Sequence, residues 1–363
     1  MKIALVGKFG EGDILTGPER MARELFYALK NKKVQVVFIE YFFSGYNKSN
    51  LYKKLFGKEL LENVFVVRLG IFPLLLFLIR EKFEIIHIVN LQRFILFIFF
   101  FKSFINSKLT ATLHGFLRLE LPQKNSWIKR YFIDLWIEKL IILKCKLLVF
   151  PSQLLFNTFN KYYNIAKRKY VIIPNGISEI FKSQNINFPL IEKSLRIIFY
   201  NGFIEATRER LKELIKSLEK VNYKIELYVI GEKGKAISSI NLDIVYIGQL
   251  SHRELFNFLS DKHFVIKSGA FDTFSIFVAE CMLAGVIPIV NQNVGISEFI
   301  QHEVNGFLYN NSDSDDLSKL LNKIFERNYD LELISNNAKN IYAKLNWNSI
   351  TENYIESFKS ISN

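Results

Sequence analysis

Asp272 and Glu280 stand eight residues apart in the stretch KSGAFDTFSIFVAECMLAGVIPIVNQNVGISEFIQHEVNGFL, which runs from Lys267 to Leu308. The segment opens polar and turn-prone at Asp272, Thr273 and Ser275. A helix-capable run then continues through Met282, and Gly285 and Pro288 lead into a short apolar strand. One acid therefore stands at the mouth of a helix and the other about two turns further in. Backbone amides at a helix N-terminus attract phosphate, and a carboxylate deeper in the same pocket can take paired hydrogen bonds from sugar hydroxyls. One segment can thus grip both ends of a nucleotide sugar.

These residues resemble the E-x7-E signature region of retaining glycosyltransferases of the GT-B fold, in particular glycosyltransferase family 4. AECMLAG stands where the family usually has LEAMACG, VIPIV stands for its PVV strand, Glu298 falls at the next acid, and EVNGFL matches its hairpin element. The family's first acid is usually Glu; here it is Asp272, a methylene shorter. The resemblance implies that Glu280 binds the donor ribose and Asp272 the sugar hydroxyls, with Thr273, Phe274 and Ser275 at the diphosphate.

Further candidates lie outside that stretch. The family reads GRL-x-x-x-KG after the first strand of its second half, with an Arg and a Lys on the pyrophosphate. Here Phe203 occupies the Arg position, Arg208 the Lys position, and Arg210 and Lys212 are substitutes at hand. A surface helix accounts equally for the charges of TRERLKELIKSLEK. Near the N-terminus Gly7, Gly10 and Gly12 follow a strand, and Gly17 precedes a helix, a phosphate cradle in principle. TGPER there resembles the family's GGxER, which faces the donor phosphates. His114 ends the strand LTATLH, where ligands collect in open α/β sheets, and the resemblance gives it contact with the donor sugar. His87, inside IIHIV, reads as a core residue. Asp313, Ser314 and Asp315 form a D-x-D string, but their place before DDLSKLLNKIF makes helix capping the better reading, and no metal is expected.

Positioning these groups takes two α/β halves. Strands at 2–6, 34–39, 64–67, 85–89, 109–113, 147–150 and 170–173 alternate with helical stretches, the first an amphipathic helix over Pro18 to Leu29. A second series has strands at 196–200, 225–230, 243–247, 263–266 and 287–290, with helices at 207–221, 251–260, 275–284 and 314–327. The expected fold is GT-B: two Rossmann-like domains with parallel sheets facing a cleft. Residues 1–180 form the acceptor-side domain, 181–346 the nucleotide-sugar domain, and 347–363 a helix returning to the first. PNGI at Pro174 to Ile177 is a turn by its own chemistry and marks the boundary.

A chain of 363 residues suits two cores. Half of it is apolar, including 35 Phe, which excludes disorder, and two distant cysteines, Cys145 and Cys281, exclude a disulfide framework. The runs Ile71 to Ile79 and Phe94 to Phe101 fall short of the roughly 20 apolar residues that span a bilayer. No signal peptide is read in MKIALVGKFG, so a cytoplasmic protein is expected. The net charge of +13 is lopsided: residues 1–180 hold 28 Lys and Arg against 13 Asp and Glu, and residues 181–363 hold 20 against 22. Such a basic half suits the inner, anionic face of a membrane, at about 1 kcal/mol per cation near the surface. Trp127, Tyr131, Leu135 and Trp136, beside Lys129 and Arg130, read equally as an interfacial helix or a core helix. No nucleic-acid motif accompanies the charge.

The function so implied is retaining transfer, of hexosyltransferase type, from a nucleotide diphosphate sugar to a glycan or lipid-linked glycan in polysaccharide or lipopolysaccharide synthesis, without a cofactor. Three other readings stay open. A GT-B epimerase would share the fold. A nicotinamide-dependent oxidoreductase would use the Gly loop, with Glu40 at the end of the second strand as its ribose acid. A non-catalytic GT-B partner is kept by Phe203 and Asp272.

Overall fold

The computed structural model describes residues 1–10, 12, 15–42, 51–61, 65–120, 128–182, 188–200, 205–231, 234, 236–269, 271–310, 315–326 and 329–362, without the side chains of 51, 120, 128–131, 182 and 205–209. The chain divides into two compact units, residues 1–176 with 347–363, and residues 177–346.

The first unit begins with β1 (Lys2–Val6), α1 (Gly17–Asn31), β2 (Gln35–Tyr41), α2 (Leu51–Phe56), β3 (Lys58–Leu61), β4 (Val66–Leu69) and α3 (Ile71–Arg80). It continues with β5 (Ile85–Ile88), α4 (Ile95–Phe100), β6 (Lys108–Thr112), α5 (Leu117–Glu120), α6 (Ile128–Lys144), β7 (Leu147–Phe150), α7 (Gln153–Tyr163) and β8 (Tyr170–Ile172). The sheet order is β3-β4-β2-β1-β5-β6-β7-β8, parallel but for β3, which pairs antiparallel with β4. Strands covered on both faces have no polar side to show, and all four residues of β5 and of β7 are buried. Thr16 and Glu19 close a capping box at the start of α1, and Pro18 sits in the first turn, where it sacrifices no intrahelical bond. Met21, Ala22, Leu25, Phe26 and Leu29 are buried, as the helical spacing predicts. The antiparallel β3 had no sequence signal: KELL is a short edge strand that acquires its pairing from β4.

The second unit runs through β9 (Leu195–Tyr200), α8 (Glu205–Leu218), β10 (Ile225–Ile230), β11 (Ile237–Ser238), β12 (Leu242–Gly248), α9 (His252–Leu259) and β13 (Phe264–Lys267). After these come α10 (Ile276–Leu283), β14 (Ile287–Asn291), β15 (Phe307–Tyr309), α11 (Asp316–Glu326), α12 (Leu331–Lys339) and α13 (Tyr342–Leu345). Its order is β11-β12-β10-β9-β13-β14-β15, parallel except for β11. The order reverses between β9 and β13, and in such sheets the crevice beyond the carboxyl ends of the strands at that reversal is where ligands bind. The expected GT-B architecture, two Rossmann-like sheets, is therefore present.

The last helix, α14 (Trp347–Ser362), belongs to the first unit and packs against α1. Its Tyr354 hydroxyl lies 3.1 Å from Thr112 Oγ1, and Thr112 in turn meets His87 Nε2 at 3.0 Å. His87 Nδ1 faces Thr110 Oγ1 at 2.8 Å, so this fully buried ring is a satisfied core residue. Burial, with His114 nearby, pushes its pKa down to about 3. Gly176 is held by packing, since a Cβ there would come within 2.5 Å of the Trp347 indole.

Candidate functional site

The second unit places its site at the β9/β13 reversal. β13 ends at Lys267, and the chain then passes Ser268, Gly269 and Asp272 before entering α10. Asp272 is fixed at both oxygens. Its Oδ2 lies 2.7 Å from Lys267 Nζ, and its Oδ1 accepts the Phe274 N–H at 3.1 Å. Its backbone is tied as well, donating to the Asn293 carbonyl and accepting from the Gly295 N–H at 2.9 Å. Burial would raise the Asp272 carboxyl, but the charge and hydrogen bond of Lys267, the Phe274 amide and Arg210 outweigh it and hold it below its ordinary value. Asp272 is an ionised carboxylate in a fixed orientation.

Arg210 reaches this group from α8, on the other side of the reversal. Its guanidinium lies over Gly269, where a Cβ would stand 3.1 Å from Nη1, and Gly269 holds φ +147°. The glycine lets the cation come this close. Arg208 lies in α8 too, but its side chain is outside the described residues, as are Asn201, Gly202 and Phe203.

The entry to α10 differs from a plain helix start. Ser275 is left-handed, φ +77° and ψ +76°, and its side chain makes no capping bond. For a residue with a Cβ that conformation costs roughly 1–2 kcal/mol. It is retained where the chain must turn from the Asp272 loop into the helix within three residues. Phe274 is a core side chain, 1% exposed, its ring edge-on to Phe299. Its amide is committed to Asp272, so the expected contact of Phe274 with diphosphate has neither side chain nor free N–H behind it. Thr273 is half-buried beside it. Glu280, one helix length further on, is fully buried among Val278, Ala279, Cys281 and Met282.

Lys267 was missed by the sequence reading. The available signal was a cation closing the apolar strand FVIK directly before Ser-Gly and five residues before Asp272. Ser268 carries a second, weaker sign: its Oγ is buried with no hydrogen-bond partner in the protein.

His114 and Gly17 lie in the first unit. His114 follows β6 and is partly buried; burial lowers its pKa to about 4, the Val89 carbonyl opposing, so the ring is neutral near pH 7. Gly17 opens α1, and a Cβ there would meet nothing within 4 Å. The preceding loop is closed on itself. Asn90 accepts the Lys8 N–H at 2.8 Å and donates to the Lys8 carbonyl at 3.1 Å, Lys8 Nζ pairs with Glu19, and Arg23 donates to the carbonyls of Gly10 and Gly12. Glu40 is also occupied: it is 2% exposed and accepts from Arg68 Nε at 3.1 Å and Nη2 at 2.9 Å. A carboxylate held this way is not a ribose acid, which removes the main support for the oxidoreductase reading. Asp313 and Ser314 lie outside the described residues, and Asp315 pairs with Lys220. Among the described residues no group of three His, Cys, Asp or Glu could hold a metal ion.

Two family models match the chain: "Glycosyltransferase Family 4" over residues 15–179 and "Glycosyl transferases group 1" over residues 182–341. An uncharacterized glycosyltransferase of Methanocaldococcus jannaschii is 22% identical over 216 residues, 54% of this chain and 55% of that protein. The chain thus spans about half the length of this relative. The lipopolysaccharide 1,2-N-acetylglucosaminetransferase of Salmonella typhimurium is 24% identical over 280 residues, 70% of this chain and 68% of that protein. Among solved structures, sucrose-phosphate synthase from Thermosynechococcus elongatus has a TM-score of 0.76 at 14% identity, covering 99% of this chain and 98% of its own. Anabaena HepE in complex with UDP and glucose has a TM-score of 0.72 at 15% identity, covering 99% and 100%.

Proposed function

The chain belongs to the glycosyltransferases of the GT-B fold, and we propose that it transfers a sugar, with retention, from a nucleotide diphosphate sugar to a hydroxyl of a glycan or lipid-linked glycan. The observation that carries this reading is the Asp272 carboxylate, oriented by Lys267 and the Phe274 amide at the strand-order reversal, with Arg210 facing it from the other side. In this reading Asp272 accepts the sugar hydroxyls and Glu280 the ribose. Arg210 and Arg208 balance the charge that grows on the diphosphate as it leaves, so no cofactor is called for. The roles of His114 at the sugar and of Gly17, Thr273 and Ser275 at the diphosphate rest on the resemblance alone. No covalent nucleophile is assigned, and a front-face displacement, with the leaving phosphate drawing the acceptor proton, fits the residues present. The Salmonella relative favours lipopolysaccharide or a related polysaccharide as product, and HepE favours a uridine nucleotide as the first donor to test.

The test is a melting series with UDP, GDP, ADP, CMP and NAD. A ligand at 100 times its dissociation constant stabilises by about 2.7 kcal/mol. A shift with one nucleoside diphosphate supports the transferase, and a shift with NAD alone overturns it. Glu280→Ala is expected to abolish turnover while the protein still folds; full activity in that variant removes the central assignment. The anomeric configuration of the first product, read by proton NMR, decides retention.

A further inference from the structure

Among the described side chains of α6, those on the outward side are largely apolar although the core needs only the inward one. Ile137, Ile141 and Ile142 fill the buried side, yet Phe132, Trp136 and Leu143 are 63%, 47% and 55% exposed. At 100° per residue these three fall within about 40° of one another, with Lys139 at one margin and Lys144 closing the helix about 80° beyond the other. α4 packs against α6 and adds Phe100, 67% exposed, its ring 6.3 Å from Trp136. The 3-10 turn Lys102–Phe104 contributes Phe104, also 67% exposed. The crossovers that carry α4 and α6 both step toward β8, so right-handed connection puts the two helices on one face of the sheet. Contiguous exposed aromatic surface of this kind marks a site of association.

The charge beside the patch tells what it meets. At the C-terminal end of α6, where Lys144 closes the helix, opens a recess of about 390 Å3 lined by Lys102, Lys108, Lys144 and Lys146, with Glu84 and Ser107. Glu84 is already answered by the amino terminus at 3.4 Å and the Lys2 amide at 2.9 Å. Lys108 is engaged by the carbonyls of Ile361 and Ser362. Lys102 donates to the Ile105 carbonyl at 2.8 Å, and the charges of Lys102, Lys144 and Lys146 leave the recess positive. No helix among the described residues is long and apolar enough to cross a membrane, so the patch suits lying on a bilayer.

We propose that this layer docks on an anionic phospholipid bilayer, its aromatic side chains entering the headgroup boundary and the recess accepting a lipid phosphate. The inference rests on this surface and stands apart from the transferase reading, since vesicle binding is measured without donor or turnover.

The test is co-sedimentation with vesicles of phosphatidylglycerol and phosphatidylcholine in equal parts, against phosphatidylcholine alone. Two variants probe it independently, Phe100→Ser with Trp136→Ser, and Lys144→Glu with Lys146→Glu. All four positions are exposed, and melting temperatures confirm folding. The wild type is expected to bind the anionic vesicles; the lysine pair should lose at least about thirtyfold in partition, the usual contribution of the two cations alone, and the aromatic pair at least tenfold. A charge-matched control, Lys161→Glu with Lys216→Glu, should keep most of the binding. Equal binding by all variants overturns the proposal, as does wild-type protein that ignores the vesicles. A wild-type dimer by light scattering that the aromatic pair makes monomeric, without vesicle binding, also overturns it and assigns the face to a second copy of the chain.

Discussion

Lys267→Met tests the reading of the site most directly, because it keeps the aliphatic stem and removes only the charge that holds Asp272. The pair is 2.7 Å apart with side chains 15% and 26% exposed. Breaking a fully buried pair costs about 3–5 kcal/mol and an exposed one about 0.2–1 kcal/mol. This pair lies between those limits, and Asp272 keeps the Phe274 amide and Arg210, so a loss of about 1–3 kcal/mol is expected in urea denaturation at pH 7. The folded pKa of Asp272 is lowered, so its stabilisation is present above the ordinary carboxylate range and is lost as pH falls through the lower folded value. Without Lys267 the folded pKa rises toward the unfolded one, so less stability is lost in acid and that loss is complete at a higher pH. The acid limb of kcat/KM should move upward with it, while kcat/KM itself falls by about ten- to a hundredfold as the carboxylate loses its fixed orientation. Lys267→Arg should restore much of the rate. An acid limb that stays in place, with wild-type kcat/KM, would refute the coupling between Lys267 and Asp272.

Three further outcomes follow from the same structure. Ser275→Gly relieves a left-handed residue at some entropic cost in the unfolded chain, so a net gain of about 0.5–1 kcal/mol is expected in urea, and a loss would show that the Ser275 side chain holds the turn. Gly269→Ala drives a Cβ into the Arg210 guanidinium; it should weaken UDP binding as Arg210→Ala does, and the double variant should be no weaker than either single one, whereas additive losses would place Arg210 outside the donor grip. His87 and His114 have folded pKa values of about 3 and about 4, lowered mainly by burial. Below the unfolded value near 6.5 the unfolded state binds protons that the folded state refuses, so these two rings should withdraw roughly 4 kcal/mol of stability from pH 7.5 to pH 5, and His263, also lowered to about 4 by burial, adds to that fall; a flat profile would mean that the rings are hydrated or protonated in the native state.

The sequence reading reached the elements by periodicity and the acids by motif, and its misses have a common physical form. The sequence places a strand at 263–266, whereas β13 runs Phe264–Lys267 and so ends on a charge. Only the folding back of the Asp272 loop, through the Val294 bridge and the Gly295 hydrogen bond, brings that charge onto the carboxylate. Spacing along the chain cannot report a contact made by a loop. Arg210 is legible in the sequence only as a substitute for Arg208, since its reach depends on the absence of a Cβ at Gly269. Phe274 shows the reverse error: it stood in a motif with polar neighbours, but a Phe in a tight turn over a hydrophobic cluster goes inward and takes its amide with it. Ser275 was placed in a helix by residue type, and no propensity scale separates a serine that caps from one that is held left-handed.

The two sheets also show why equal architecture does not imply equal chemistry. In the first unit the groups that looked ligand-binding answer one another: Lys8 pairs with Glu19, Arg23 with the loop carbonyls and Glu40 with Arg68. A phosphate arriving there would have to displace those partners, and the desolvated Glu40 pair could be opened only at a cost of several kcal/mol. In the second unit Lys267 answers Asp272, and Arg210 lies against the bare backbone of Gly269 rather than deep in a carboxylate pair. An anion that drew Lys267 away would give up this partly buried pair, at about 1–3 kcal/mol, while Asp272 would keep the Phe274 amide. Among the described residues the glycine-rich loop, the more familiar sign of phosphate binding, is thus occupied by its own partners, and under the proposed function the less familiar Lys-Ser-Gly turn is the better receptor.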